Sequence, residues 1–298
     1  MKRLLALLLV LGLALAQADL ARAIFEAANA ERVANGVAAL AWDEGLARAA
    51  RIQGEDLLRR HYFGHVHPDG PPFEERFWRA GVYALKVAEN LYELDGPYVP
   101  ADFARRAVQA WMQSPGHRKN LLDPGFTHMG VAVRVANGRY LAVQEFAFKP
   151  FPLTVETRRG EGEVTRYALD GQSPYPGLVL VAERTFYRFS AGSVRFAVEL
   201  PENTALRVLL KKPGGWYEIP KDRLGRYGLR LEEKRARRPG VWVTLKAPPG
   251  DYALGLGEKA PKAFYAGPLP KRLFAPLTWK GLWIGRGKSY AYRIPLRP

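Results

Sequence analysis

Residues 111–122 read WMQSPGHRKNLL and are the most informative stretch for the fold. The alanine, valine and tryptophan residues at positions 104, 107, 108 and 111 have the spacing of one helix face, so they predict a helix. Ser114-Pro115-Gly116 predicts the end of that helix. His117 is therefore expected on an irregular segment after the helix.

Two other segments carry side chains of related chemistry. His65 lies in residues 63–70, which read FGHVHPDG, and Glu89 lies in residues 88–91, which read AENL. Two imidazoles and a carboxylate on such segments could bind a divalent metal, and neutral imidazole suits zinc, copper or nickel. They could also act as general acid and base, or be three unrelated solvated side chains.

The remainder of this half predicts helices followed by a hairpin. Asp19 and Asp43 are candidate N-caps of two further helices. Residues 131–136 alternate in the manner of a strand, Asn137-Gly138 predicts a tight turn, and residues 140–148 form the return strand. This order indicates a layered structure of helices and a sheet.

The same segments resemble a CAP domain, the superfamily of cysteine-rich secretory proteins, antigen 5 and plant pathogenesis-related proteins. The resemblance covers residues 24–147 and is closer to the cysteine-free bacterial branch. The motifs, in family order, are Asn29-Ala30-Glu31-Arg32, Phe63-Gly64-His65, Pro68-Asp69-Gly70, Glu89-Asn90, the 111–122 stretch and Gly130-Val131. The resemblance implies an α-β-α sandwich with a surface cleft.

In that cleft the resemblance brings His65, Glu89 and His117 together, and in some family members the equivalent histidines bind zinc. Arg118 is expected to hold a carboxylate and Asn120 to satisfy backbone groups near Ser114. The predicted ligand-binding residues are His65, Glu89, His117, Arg118 and Asn120. The predicted metal ligands are His65 and His117, with zinc the best-suited divalent metal, and the cleft could instead hold a small molecule, a lipid or a peptide.

The sequence departs from the family at one cleft position. Many eukaryotic members have a second glutamate three residues after the tryptophan of the third helix, where this chain has Ser114. Glu145 could substitute, but strand alternation places it on the face opposite Tyr140 and Phe146. The sequence therefore predicts a three-residue cleft.

The sequence does not distinguish between a hydrolase and a binding module. The sequence has no HExxH helix and no GxSxG elbow. A hydrolase of the peptidase kind, with or without a metal, and a binding module both fit the three residues. We prefer the binding module, because kinship of fold does not establish chemistry.

The first eighteen residues predict a signal peptide. Lys2 and Arg3 precede the apolar run Leu4–Ala16, and small residues follow at A-x-A spacing. The run is too short for a membrane anchor, and no later segment could span a bilayer. We therefore expect a secreted, periplasmic or cell-surface protein. The absence of cysteine excludes disulfides, zinc-thiolate sites and thiol catalysis.

Charge divides the chain of 298 residues and net charge +16 into two parts. Residues 19–150 hold 16 basic and 16 acidic residues, whereas residues 151–298 hold 27 basic and 13 acidic residues. Such a step is typical of a domain boundary, and the prolines of residues 149–152 favour a linker there. The predicted domains are residues 1–18, 19–149 and 150–298, the last of which could comprise two subdomains.

The basic part predicts strands. Residues 194–199, 206–211 and 241–246 alternate, and turn residues such as Pro213-Gly214-Gly215 separate such runs. The whole chain is thus predicted as α+β, with an α-β-α sandwich followed by a β-rich domain, a sandwich or a barrel. No family is recognised in this part.

Its basic surface predicts an anionic partner. Residues 234–238 read KRARR and are expected in a basic loop, and Trp216, Trp242, Trp279 and Trp283 are candidates for stacking on sugars or bases. Outside the cytoplasm the expected partner of residues 150–298 is an anionic cell-wall polymer or polysaccharide. The alternatives are that the charges only keep the protein soluble and that the tryptophans are core. No dedicated nucleic-acid motif accompanies the charge.

Overall fold

The computed structural model describes residues 2–96, 102–202, 204–259, 262–287 and 289–296, without the side chains of residues 2–15. The chain divides into two compact units, Met1–Pro150 and Phe151–Pro298. Most of the predicted signal peptide, residues 1–18, has side chains that lie outside the described residues, so it stays a prediction. Within the described residues, no helix combines the length and the apolar character needed to cross a membrane.

The first unit is a sheet covered by helices on both faces. Its helices are α1 (Lys2–Ala34), α2 (Glu44–Arg60), α3 (Glu75–Arg79), α4 (Phe103–Gln113) and α5 (Pro115–Leu121). Its strands are β1 (Ala41–Trp42), β2 (Val87–Asp95), β3 (His128–Ala136) and β4 (Arg139–Ala147). The strand order is β1-β3-β4-β2, with β1 parallel to β3 and the other pairs antiparallel. Strand β2 is therefore an edge strand.

Alternation along β4 decides which helices cover which face. Tyr140 and Phe146 pack with α1 and α4, including Trp111. Leu141 and Val143 point to the other face and pack against α2 at Leu57. The predicted α-β-α sandwich is confirmed, and each face of the sheet has its own apolar core.

Two predicted elements of this unit are confirmed at their predicted positions. The apolar face at 104–111 lies on α4, where Trp111 is 1% exposed. Asn137 and Gly138 connect β3 to β4 with φ angles of 51° and 74°, which is the left-handed backbone of a type I′ turn.

Two other expectations for this unit are wrong. Asp19 does not cap a helix, because α1 runs through it from Lys2, and the leucine- and alanine-rich residues before it favour helix. His117 does not lie on an irregular segment. Ser114 ends α4 with an extended backbone, but Pro115 then begins α5, since proline is well tolerated in the first turn of a helix.

The second unit consists of strands. They are β5 (Thr154–Ser173), β6 (Gly177–Val181), β7 (Arg184–Phe189), β8 (Gly192–Pro201), β9 (Leu206–Lys212), β10 (Gly215–Ile219), β11 (Leu229–Lys246), β12 (Asp251–Leu256), β13 (Lys262–Pro268), β14 (Arg272–Pro276), β15 (Gly281–Arg286) and β16 (Ser289–Pro295). Two 3₁₀ helices, Lys221–Tyr227 and Leu277–Trp279, lie between strands. In the part of this unit that the structure describes, the strands form open antiparallel sheets ordered β10-β9-β6-β7, β14-β11-β5-β8 and β13-β12-β15-β16. The β-rich prediction is confirmed, and these sheets do not close into a barrel.

The predicted basic loop at residues 234–238 is wrong. These residues lie in the middle of β11, paired with residues 162–166 of β5. Arg237 Nη2 lies 3.7 Å from Glu163 Oε1 across the strands, and Arg238 Nε lies 3.2 Å from Glu199 Oε1. In this exposed part of β5 and β11, charged side chains pair across the strands. The segment therefore lacks the alternation of apolar and polar residues that predicts the other strands.

The four tryptophans of this unit differ in exposure. Trp279 and Trp283 are core residues with exposed fractions of 2% and 8%. Trp216 is 44% exposed on the edge strand β10, and Trp242 is half-buried. Only Trp216 and Trp242 are therefore placed to contact a ligand.

Asp43 joins three parts of the first unit. Its Oδ1 accepts a hydrogen bond of 2.8 Å from Leu46 N and so caps α2, while its other oxygen pairs with Lys149 Nζ after β4. Burial alone would raise the pKa of Asp43, but Lys149 and the cap hydrogen bond outweigh burial and lower it. The ionised carboxylate is therefore the form that stabilises the fold.

We expect Asp43→Ala to lower the free energy of unfolding by about 1–2 kcal/mol at pH 7, the usual cost of losing an N-cap. Because the folded pKa is depressed, the difference from the wild type should shrink as the pH falls through the carboxyl range. Urea denaturation between pH 3 and pH 7 measures this. The control Asp43→Asn keeps a cap acceptor, so its free energy of unfolding should fall less at pH 7. A difference between Asp43→Ala and the wild type that does not change with pH would contradict the role of the ionised Asp43 carboxylate.

Candidate functional site

The three predicted cleft residues come from three separate elements of the first unit. His65 lies in the loop after α2, which ends at His61 with a left-handed backbone (φ 55°). Gln53 of α2 holds this loop, since its Nε2 donates to Gly64 O at 2.8 Å. Glu89 lies on the edge strand β2, and His117 lies in the first turns of α5.

The His65 imidazole and the Glu89 carboxylate are in direct contact. Nδ1 of His65 lies 2.6 Å from Oε1 of Glu89. The Glu89 side chain is fully buried, whereas the His65 side chain is 52% exposed. The ring therefore covers a buried carboxylate with one nitrogen engaged and its other edge towards solvent.

A buried arginine lies beneath this pair. Arg76 of α3 places Nη2 at 2.8 Å from Glu89 Oε2 and Nε at 3.0 Å from Glu145 Oε1. Its Nη1 donates to the backbone oxygen of His65 at 2.9 Å. One guanidinium thus fixes both the carboxylate that contacts His65 and the loop that carries His65. We call Arg76, Glu89 and Glu145 the arginine–diglutamate cluster.

The contact between Arg76 Nη2 and Glu89 Oε2 is an ion pair without hydrogen-bond geometry. Neither atom, nor Glu145 Oε2, makes a hydrogen bond with another described residue. An unmatched buried carboxylate oxygen is costly when it is charged, which favours a proton on one of the two carboxyls.

The pKa shifts follow from that arrangement. Burial raises the pKa of Glu89 to about 7, against the opposing pull of Arg76. Burial and the Glu89 charge raise the pKa of Glu145 well above its usual range. The two carboxyls therefore favour a state in which one is protonated and the other is ionised, with Arg76 balancing the remaining charge.

Both imidazoles are held in the neutral form. Burial, then the Arg76 charge, lowers the pKa of His65. Burial, then repulsion from His65, lowers the pKa of His117. When Glu89 is ionised, Nδ1 of a neutral His65 is the donor and Nε2 keeps a free lone pair, whereas a protonated Glu89 donates to Nδ1.

Glu145 was wrongly left out of the cleft. It faces Glu89 directly in the β2–β4 register, so both side chains point to the α2–α3 face of the sheet. The expectation assumed that the cleft lies on the face of Tyr140 and Phe146, which instead holds apolar core. Residues that lie directly opposite each other in an antiparallel pair point to the same face of the sheet. The sequence could therefore have placed Glu145 beside Glu89, but only if the register of β2 and β4 were known.

The other face of β2 holds an amide network that positions α5. Asn90 Nδ2 donates to His117 O at 3.1 Å and to Gln144 Oε1 at 3.0 Å. Asn120 Nδ2 donates to Glu89 O at 3.2 Å and to Asn90 Oδ1 at 3.1 Å. Asn120 therefore holds α5 to the edge of β2 rather than bonding near Ser114. His65 and His117 approach this edge from opposite faces of the sheet.

Arg118 is not brought to the other predicted residues by any contact within the described chain. It is exposed and lines a separate depression with Pro115, Lys119 and Asp123. The carboxylate expected for it is absent among the described residues, and the arginine that holds carboxylates is Arg76.

A polar cavity adjoins His65 on the side of α2. It measures about 360 Å³ and is lined by Gln53, Tyr62, His65 and His67, together with arginines at positions 59, 60, 76 and 79. His67 also differs from His65 in its ring contacts, because its Nδ1 accepts from Asp69 N at 3.1 Å. The proton of a neutral His67 therefore lies on Nε2.

The side chains of the cleft offer few ligands for a divalent metal. Among the described residues, no three histidine, aspartate or glutamate side chains are grouped so that they could hold an ion. Both oxygens of Glu89 face His65 and Arg76, which removes it as a third ligand. The two neutral imidazoles remain suitable donors, with water or a bound ligand completing the coordination.

Comparison with known proteins identifies the first unit. Residues 25–146 match the sequence model of CAP, the cysteine-rich secretory protein family. Over 109 residues the chain is 38% identical to the Uncharacterized protein YkwD of Bacillus subtilis (strain 168), covering 36% of this chain and 40% of that protein. Over 112 residues it is 36% identical to the Uncharacterized membrane protein YlbC of the same organism, covering 37% of this chain and 30% of that protein. The chain thus matches less than half of either relative.

A solved structure is also similar. It is the extracellular protein containing a SCP domain from Bacillus anthracis str. Ames, with 30% sequence identity and a TM-score of 0.37. The match covers 45% of this chain and 41% of that one.

The shared proton predicts a pH dependence of stability. A carboxyl with a raised folded pKa stabilises the fold while it is protonated, and this contribution is lost as the pH rises from about 4.5 through the folded pKa. Glu145→Gln removes that titration. The free energy of unfolding of the variant should therefore rise relative to that of the wild type between pH 5 and pH 8. The expected change is up to about 1.4 kcal/mol per pH unit for one proton.

Chemical denaturation of both proteins at several pH values measures this difference. The conservative variant Glu93→Gln, a glutamate of the same strand β2 that lies outside the cluster, is the control and should not reproduce the trend. Parallel stability curves for the wild type and Glu145→Gln would show that no proton is shared.

Proposed function

We propose that this chain, whose residues 25–146 form a CAP domain, is an exported protein that binds a divalent metal ion through His65 and His117. The observation that carries the proposal is the contact between His65 Nδ1 and Glu89 on a half-exposed ring, because an ionised Glu89 accepts the Nδ1 proton and leaves Nε2 free to bind an ion. The predicted signal peptide supports a location outside the cytoplasm, secreted, periplasmic or at the cell surface.

The chemistry of the two rings supports zinc. Metal binding needs neutral imidazole, and both rings have lowered pKa values. In metal-binding histidines, a carboxylate that bonds to the ring nitrogen not bound to the metal fixes the tautomer and the orientation of the ring. Glu89 has this position relative to His65. A bound zinc ion would supply a positive centre for an oxygen or nitrogen atom of a ligand. A small molecule, a lipid or a peptide in the neighbouring polar cavity could provide that atom.

Binding is favoured over hydrolysis by the number of donors. Catalytic zinc sites generally have three protein ligands and an activated water. Here Glu89 is held by His65 and Arg76, so two imidazoles remain. The hydrolase alternative, with or without a metal, uses the same residues and is decided by the assay below.

Zinc titration by calorimetry tests the metal site. We expect the wild type to bind one zinc ion and His65→Ala with His117→Ala to bind none at that site. Glu89→Gln should weaken binding by about 10–100-fold, the usual effect of removing an orienting carboxylate. His67→Ala is the matched control and should bind as the wild type does, because Nε2 of His67 carries its proton.

Equal zinc binding by the wild type and the double variant would refute the metal site. The same proteins should be tested on peptide, ester and glycan substrates. Turnover that disappears in the double variant would make the domain a hydrolase in place of a binding module.

For the second unit we propose attachment to an anionic cell-wall polymer or polysaccharide. The proposal is supported by four basic residues of β9 and the first 3₁₀ helix, together called the Lys211 patch, namely Lys211, Lys212, Arg223 and Arg226. Lys212 Nζ joins β9 to the 3₁₀ helix through Tyr227 OH at 3.2 Å. None of these four cations has an ion-pair partner among the described residues. The 3₁₀ helix itself contributes one acidic residue, Asp222, and the excess of positive charge attracts polyanions.

Retention on an immobilised anionic wall polymer at increasing salt tests the patch. The triple variant Lys211→Gln, Arg223→Gln, Arg226→Gln should bind at least about tenfold more weakly than the wild type at low salt. Arg195→Gln, Arg230→Gln, Lys246→Gln is the control with the same change of net charge, taken from arginines and a lysine that have acidic partners. Equal losses in both variants would show a diffuse charge effect, and retention that ignores salt would refute the electrostatic attachment.

A further inference from the structure

The second unit contains a cavity that neither proposal above uses. It measures about 690 Å³, within the usual 300–1,000 Å³ of small-molecule sites, and is lined by residues of β5, β11, β13 and β14. Four aromatic side chains contribute to its walls, namely Trp242, Phe264, Tyr265 and Phe274. We call it the aromatic pocket.

Two glycines let Phe274 pack closely against the sheet beside the aromatic pocket. The Phe274 ring lies across Gly162 and Gly240, where an added Cβ would stand 2.3 Å from ring atoms. Because these two positions carry no side chains, the ring lies directly against the backbone of β5 and β11.

Trp242 is fixed within this arrangement. Its Nε1 donates to Glu161 O at 3.2 Å, and its ring lies 5.1 Å from that of Phe274. The Arg272 guanidinium lies 4.2 Å from the Trp242 ring centroid. The indole and the guanidinium therefore form a common part of the cavity wall.

The rim of the aromatic pocket offers hydrogen-bond acceptors as well as donors. Glu161, Glu163 and Glu202 contribute carboxylates, and Arg237 and Arg272 contribute guanidinium groups. Glu161 has no ion-pair partner among the described residues. Arg237 Nη2 is 3.7 Å from Glu163 Oε1, too far for a direct hydrogen bond, so its donors stay available.

This combination selects among ligand classes. The three acidic side chains of the rim outnumber its two arginines, which disfavours phosphates and other polyanions. A purely apolar ligand would leave the charged rim without partners. A pyranose has one face of C–H groups for aromatic walls and hydroxyl groups that donate to carboxylates and accept from guanidinium groups.

We propose that the aromatic pocket of the second unit binds a neutral saccharide through Trp242, Tyr265 and Arg272 and the carboxylates of its rim. This site is distinct from the Lys211 patch in its chemistry. Binding there depends on ring stacking and on neutral hydroxyl groups, and it should persist at salt concentrations that abolish retention on a polyanion.

The experiment uses the full chain and a panel of neutral oligosaccharides, with tryptophan fluorescence and calorimetry as readouts. The wild type should bind at least one member of the panel in 0.5 M salt. Ala205→Trp fills the mouth from an exposed position that lines the pocket, and should weaken binding at least tenfold without loss of stability. Trp242→Phe keeps an aromatic ring and should weaken binding less.

Trp216→Phe is the matched control, since Trp216 is an exposed tryptophan on β10 of a different sheet, and it should bind as the wild type does. Three results would overturn the proposal. They are the absence of binding across the panel, equal binding by Ala205→Trp, and displacement of the bound saccharide by oligothymidylate, which would indicate a nucleic-acid site.

Discussion

Arg76 lies between two buried carboxylates, and the position of His65 depends on it. Taking one guanidinium and two carboxyl groups out of water is costly unless their charges balance. The arrangement meets this constraint when one of the two carboxyls is protonated, and Arg76 also contacts the His65 backbone. An ionised Glu89 accepts the Nδ1 proton of a neutral His65 and leaves Nε2 of this half-exposed ring unprotonated.

The sheet edge explains how residues from distant elements meet. Among the described residues, strand β2 pairs with another strand on one side only, so a loop from the α2 face and α5 from the other face can both reach it. Glu89 and Asn90 point to opposite faces of β2, one supporting His65 and the other supporting His117 through its backbone oxygen. Adjacent residues of one strand thus position the two halves of the proposed metal site. The second unit uses charge differently, because many of its arginines, such as Arg237 and Arg238, pair with glutamates on neighbouring strands.

Local patterns predicted local structure well. The apolar spacing before Trp111 and the Asn137-Gly138 turn depend on nearby residues, and both hold in the structure. The contact between His65 and Glu89 was expected only from the family motifs. Glu145 could not be placed, because its role depends on the register between β2 and β4. The KRARR segment was misassigned because its cross-strand partners lie far away in sequence, and the packing of Phe274 beside the aromatic pocket depends on glycines that no local pattern marks.

The protonation of His65 is the most direct test of this account. Long-range proton–nitrogen correlation spectra of the histidine rings at about pH 8.5, above the Glu89 pKa of about 7, report which nitrogen carries the proton when they are assigned with His65→Ala. We predict a neutral His65 ring with its proton on Nδ1, and a changed Nδ1 resonance in Glu89→Gln. A proton on Nε2, or a charged imidazolium at that pH, would contradict this prediction.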